Sequence, residues 1–148
     1  MKPVRISFIV SVLLLALAIV VMAGTDADKC PLCGMNIAGN ENTAYVITTK
    51  EGASTAYCCP HCGLWVHAEG KGAIKSAKAR DFISGEWDDP AKMVFIFKST
   101  AVPACAPSWI AFSKKAEAEK FQKGFGGTIY SFEEALKERV KHPKGMEM

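Results

Sequence analysis

The chain has 148 residues, 18 basic and 15 acidic side chains, a formal charge of +3 and a hydrophobic fraction of 49%. Lys2 and Arg5 precede an uncharged apolar run, so the remainder carries 16 basic against 15 acidic side chains and is close to neutral. With no basic stripe and no alternation of aromatic and basic residues, nucleic acid is excluded as a partner, and the length allows one domain or two very small ones.

The first element is the run from Ile6 to Gly24, which holds no charge. A basic start, an apolar stretch and small residues at its end make a secretory signal. Val21-Met22-Ala23 and Thr25-Asp26-Ala27 both offer cleavage sites. Uncut, the run also suffices to span a bilayer, since about 20 apolar residues are enough, and the basic residues ahead of it keep the N-terminus in the cytoplasm. Residues 1–24 therefore read as a signal peptide or membrane anchor, with residues 6–24 in the inner membrane. Residues 25–141 form a domain delivered to the extracytoplasmic (periplasmic or cell-surface) side, and residues 142–148 a flexible tail. Ala27-Asp28-Lys29 gives Cys30 no lipobox.

Cys30-Pro31-Leu32-Cys33-Gly34 follows, with Met35 directly after it. Thr43 to Thr49 is β-branched and aromatic and reads as a strand, Lys50-Glu51-Gly52 as a turn, and Ala53 to Tyr57 as a second strand. This hairpin leads into Cys58 and a second knuckle, Cys59-Pro60-His61-Cys62-Gly63. Gly63 to Ala68 begins a short helix and Ile74 to Phe82 reads as a weaker one, while Lys71, Lys75, Lys78 and Arg80 form a mildly basic segment that reads as a solvated helix face. Gly85 to Pro90 is a turn. Met93 to Phe97, nearly all apolar, is a buried strand. Ser99 to Ser108 is a loop holding Cys105, and Trp109 to Phe112 a short strand. Ser113 is placed to cap a helix over Lys114 to Lys123, with Ala116, Ala118 and Phe121 inward. Gly124, Gly126 and Gly127 end it, and Thr128 to Tyr130 is a strand. Ser131 caps the last helix, with Glu134 in a capping box and Leu136 and Val140 on the inner face. The class is α+β: two small strand-and-helix (ββα-like) units.

The chemistry lies in the two Cys-Pro-x-Cys-Gly turns, separated by the 25 residues from Gly34 to Cys58. Proline presets φ early in such a turn and glycine tolerates positive φ after the second cysteine. Two turns supply the four sulfurs of a tetrahedral site through Cys30, Cys33, Cys59 and Cys62. Thiolates are soft ligands that favour zinc, copper(I) and iron–sulfur clusters. A closed zinc site needs four ligands and no spares, whereas Met35, Cys58, His61 and Cys105 add thioether, thiol and imidazole donors suited to receiving and passing on a soft ion. Three readings stay open on the residues alone: an exchangeable copper(I) site, a structural four-cysteine zinc site on a partner-binding domain, and a thiol–disulfide oxidoreductase. No Gly-x-Ser-x-Gly, phosphate loop or His-Glu-x-x-His motif occurs, and no acid–base pair stands out, so an enzyme of another kind is not expected.

At these residues the chain resembles the nitrous-oxide reductase accessory protein family, NosL. The resemblance lies in Cys30-Pro-Leu-Cys-Gly-Met35, in Asp81-Phe-Ile-Ser-Gly-Glu-Trp87, in the loop before Ile110-Ala-Phe112, and in Ala116-Glu-Ala-Glu-Lys-Phe121 followed by Gly126-Gly127. It implies a fold similar to organomercurial lyase. It also implies a membrane-tethered copper(I) chaperone or assembly factor, not an enzyme, whose partner is a copper enzyme such as nitrous-oxide reductase or a membrane copper-delivery complex. It further implies copper ligation by the N-terminal Cys/Met motif and by a Met-containing loop. Here that loop reads Val102-Pro-Ala-Cys105-Ala-Pro107, so Cys105 is the candidate for the methionine's place. The lipobox is absent, and the knuckle at Cys59 and Cys62, with Cys58, is an addition. The expected metal ligands are therefore Cys30, Cys33, Cys59 and Cys62, then Met35 and Cys105, then Cys58 and His61.

Overall fold

The hairpin ahead of the second knuckle forms as β1 (Tyr45–Thr49) and β2 (Ser54–Tyr57), with Tyr45 opposite Tyr57. This computed structural model describes residues 28–142; the leader at 1–24 and the tail beyond His142 lie outside the described residues. β2 runs into helix α1 (Pro60–Glu69), which starts three residues earlier than the sequence suggests because Pro60 sits at its first turn. Next come β3 (Ile74–Arg80), β4 (Trp87–Asp88), β5 (Val94–Phe97) and β6 (Trp109–Phe112). Helix α2 (Lys115–Phe125), β7 (Thr128–Ser131) and helix α3 (Phe132–Arg139) complete the order. Among the described residues the strands form two antiparallel sheets, ordered β2-β1-β3-β4 and β6-β5-β7. The fold is thus α+β. Among the described residues no helix is long and apolar enough to cross a membrane.

Three expectations are corrected. Ile74 to Arg80 is a strand, not a helix. Its Lys and Ala residues favour helix locally, but pairing with both β1 and β4 overrides that preference. Ser113 does not cap α2: the helix starts after Lys114, and the Ser113 amide donates to Asp81 instead. Val140 and Ala116 are exposed, and the inner face of α3 is Phe132, Ala135, Leu136 and Arg139. The capping box at Ser131 forms as read, with the Glu134 carboxylate 2.8 Å from the Ser131 amide.

Strands β5 and β6 of the second sheet are buried on both faces, which accounts for their continuous apolar runs, while the edge strand β7 stays partly exposed. Side chains alternate across a strand. Phe95, Phe97, Trp109 and Ala111 accordingly face a large core shared with β1, α1 and α3. Ile96, Ile110 and Phe112 face a smaller one closed by Ala118 of α2, with Phe82 and Phe121 packed against it. Phe97 stacks on Trp109 at 4.4 Å between centroids.

Two positions hold the frame. Helix α1 lies directly on β1: a Cβ on Gly63 would meet the Tyr45 ring at 2.2 Å. Gly63→Ala is therefore expected to cost about 1–3 kcal/mol through overpacking and to push α1, with its cysteine, off the sheet. Urea unfolding and cysteine alkylation kinetics check this. The buried Asp81 carboxylate accepts from the Ser84 amide and hydroxyl, both at 2.7 Å, and from the Ser113 amide at 2.7 Å, pinning the Asp81–Trp87 turn to the start of α2. Burial pushes its pKa up, but these hydrogen bonds outweigh it and hold the carboxyl below its usual value. A depressed folded pKa gives stability that is present above the unfolded value of about 3.9 and is lost as pH falls through the folded one. Asp81→Ala should cost about 2–4 kcal/mol at neutral pH, and the variant's stability should fall less steeply than that of wild type as pH drops below about 4. Denaturant unfolding across that range tests both.

Candidate metal centre

The first knuckle is a chain reversal. The Gly34 amide donates to the Cys30 carbonyl at 2.8 Å, and the Cys30 amide to the Met35 carbonyl at 2.8 Å. Lys29 and Asn36 pair across its base. Gly34 has φ +76°, the left-handed conformation that glycine adopts without strain. Cys33 is partly exposed while Cys30 is buried.

The second knuckle is built differently. Cys59 is the N-cap of α1, extended at φ −164°, with Pro60 after it and Cys62 in the first turn. Cys58 closes β2, and the Thr43 hydroxyl fixes its backbone by donating to the Cys58 carbonyl at 2.8 Å. Cys105 arrives from the loop between β5 and β6, which contains a cis Ala106–Pro107 bond.

A buried strap holds that loop against α1. His61 Nδ1 lies 3.0 Å from the Pro107 carbonyl, and Arg139 Nη2 lies 2.8 Å from His61 Nε2. Arginine only donates, so Nε2 accepts, and Nδ1 carries the proton and donates to Pro107. Arg139 Nε also donates to the His61 carbonyl at 2.7 Å, and its guanidinium lies over the Trp65 ring at 4.9 Å.

All six cysteines are free thiols and all six meet. Cys58 Sγ lies 3.4 Å from Cys33, 3.6 Å from Cys105, 3.7 Å from Cys59 and 3.9 Å from Cys62. Cys105 Sγ is 3.8 Å from Cys62 and 3.7 Å from Cys33. Two four-sulfur groups result, Cys30-Cys33-Cys58-Cys62 and Cys58-Cys59-Cys62-Cys105, each with its sulfurs within 4.8 Å of one another. Thiols this close do not ionise together. The thiol hydrogens of Cys58 and then Cys62 hold Cys30 well below the ordinary range, and those of Cys105 and Cys58 do the same for Cys59. Contacts first with Cys105 and then with Cys30 push Cys58 and Cys62 up, while burial pushes Cys33 up to about 11. A metal cation would replace the protons that these sulfurs now share.

Among the expected ligands, Cys30, Cys33, Cys58, Cys59, Cys62 and Cys105 come together. Met35 is half-buried and packs against the same core. The His61 ring nitrogens engage Arg139 and Pro107, so the imidazole positions the loop and leaves the sulfur cluster all-thiol. His67, five residues beyond Cys62, hydrogen-bonds the Tyr45 hydroxyl through Nδ1 at 2.8 Å. Sequence reasoning missed Arg139. Its place one turn beyond Ala135 and Leu136, on the apolar stripe begun by Phe132, was the available signal.

The family model for NosL matches residues 21–140. The chain belongs to the NosL family. The copper chaperone NosL from Shewanella denitrificans has the same fold at a TM-score of 0.64 and 22% identity, covering 72% of this chain and 87% of that one. The HTH-type transcriptional repressor CutR of Bacillus subtilis (strain 168) is 30% identical over 88 residues. Those residues are 59% of this NosL-family chain and 46% of CutR, so the match spans about half the length of that curated relative.

His61→Ala removes the donor to Pro107 and the acceptor for Arg139 at once. Groups that orient ligands without touching the metal typically contribute 10- to 100-fold in affinity. The variant should therefore bind a soft metal about 10- to 100-fold more weakly, as measured by chelator competition, with all six cysteines intact.

Proposed function

We propose that this chain is an extracytoplasmic copper(I)-binding accessory protein that takes up the ion and hands it to a copper enzyme, such as nitrous-oxide reductase, or to a membrane copper-delivery complex. The observation that carries this reading is the cluster of six converging thiols. An all-sulfur donor set selects soft ions, copper(I) among them. Membership of the NosL family and the fold shared with a copper chaperone point the same way. The extracytoplasmic placement is supported by the basic start and uncharged apolar run of residues 1–24 in the sequence.

The arrangement suits transfer. Five of the six cysteines are 0–2% exposed, which shields bound copper(I) from dissolved dioxygen, while Cys33 sits at the partly exposed edge, 3.4 Å from Cys58. An ion enters and leaves by exchange of thiolates through Cys33, with Met35 beside it, so no step requires a bare ion. Copper is the cargo, and the protein is a carrier rather than an enzyme.

One observation favours a second reading, thiol–disulfide exchange: Cys59 stands at the N-cap position of a helix and neighbouring thiols depress it, a placement shared with redox-active Cys-x-x-Cys motifs. Cys59 is only 1% exposed, which keeps a protein disulfide from reaching it.

Reduced, metal-free full chain titrated anaerobically with copper(I) should withdraw the ion from bicinchoninate and yield it to a stronger chelator in excess. Cys33→Ser should slow that release while leaving the protein folded. Failure to take up copper(I) would overturn the proposal. Tight zinc whose chelation unfolds the domain would favour the structural-zinc reading.

A further inference from the structure

We propose that the cluster is a two-ion site in which Cys58 and Cys62 bridge, Cys30 and Cys33 complete one centre, and Cys59 and Cys105 complete the other. This rests on the copper-carrier reading above and gives its cargo a stoichiometry and a cluster form. The two four-sulfur groups share two members, Cys58 and Cys62. Two tetrahedra joined along one edge need six ligands, and six thiols are present. A metal–sulfur bond of about 2.3 Å gives a tetrahedral edge of about 3.8 Å. The shared edge, Cys58 to Cys62, measures 3.9 Å. Edges to Cys59 and Cys105 measure 3.6, 3.7 and 3.8 Å, and Cys33 to Cys58 is shorter at 3.4 Å. Cys33 and Cys105, on different centres, are also only 3.7 Å apart, so the two tetrahedra would be folded toward each other about the shared edge, or part on loading.

The bridging positions are also the most enclosed. Cys58 and Cys62 are both 0% exposed. Cys58 is held by β2 and Thr43, and Cys62 by the first turn of α1, so the shared edge belongs to the rigid part of the fold. The terminal pairs come from the N-terminal knuckle on one side and from the α1 N-cap and the Cys105 loop on the other. A thiolate between two cations gives each of them a share of its charge, so a second ion reduces the negative charge that one ion on six thiolates would leave buried. Binding balances without redox change: each ligand still protonated releases its proton to solvent, those already ionised release none, and no electrons move.

The test uses the reduced full chain loaded anaerobically with copper(I) and read by native mass spectrometry. Two ions per chain, accompanied by the luminescence of solvent-shielded thiolate-bridged copper(I), are expected. Cys58→Ser and Cys62→Ser should each cut the capacity to one ion or none, whereas Cys105→Ser should keep two ions at lower affinity. Should the bridging variants not fold, cadmium NMR on the wild-type chain loaded with the spin-half isotope decides without them. Two resonances mutually coupled through sulfur are expected, and two uncoupled resonances would overturn the bridge. One copper per chain without luminescence would overturn the two-ion site while leaving copper binding intact; no copper at all would overturn both readings.

Discussion

The buried chain of hydrogen bonds from Arg139 through His61 to Pro107 holds the sulfur site in one piece. Cys62 belongs to α1, Cys105 to a loop between two strands of the other sheet, and Arg139 to the last helix. The imidazole joins all three at distances of 2.8 and 3.0 Å, and the guanidinium adds a 2.7 Å bond to the helix backbone. Arg139 is 0% exposed, and a buried cation is tolerable only when its donors are met. His61 and the carbonyl of His142 meet them, and the Trp65 ring adds a cation–π contact. The same groups that make the cation tolerable also set where Cys105 lies.

The two Cys-Pro-x-Cys-Gly turns look alike in sequence and fold differently. The first is a loop reversal packed on the core through Cys30, with its second cysteine partly exposed. The second is welded to a helix N-terminus, with Gly63 pressed against Tyr45. The inequality is physical: the thiol hydrogens of Cys105 and Cys58 and near-complete burial act on Cys59, while Cys33 keeps contact with solvent. It divides the site into a partly exposed side at Cys33 and an enclosed side at Cys59. The extra cysteines at 58 and 105 link the two sides, each touching Cys33 and Cys62.

Much of this was legible in the chain. The hairpin over β1 and β2, the apolar strands β5 and β6, and the Ser131–Glu134 capping box are local signals that tertiary structure did not alter. β3 was not legible, because a Lys- and Ala-rich segment has strand character only once β1 and β4 flank it. The cysteines announced a soft-metal site, but their spacing suggested one four-sulfur clamp. That Cys58 and Cys62 would each serve two groups depends on Cys105 folding back over more than forty residues, which no local pattern encodes. His61 reads as a donor by residue type; its neighbours Arg139 and Pro107, distant in sequence, take both ring nitrogens.

The central claim is that bound metal meets sulfur alone, with the imidazole of His61 kept for architecture. X-ray absorption at the copper edge of the anaerobically loaded protein tests this most directly. A first shell fitted entirely by sulfur, unchanged in Met35→Leu, is the predicted result. A nitrogen scatterer with the outer-shell pattern of an imidazole would contradict it.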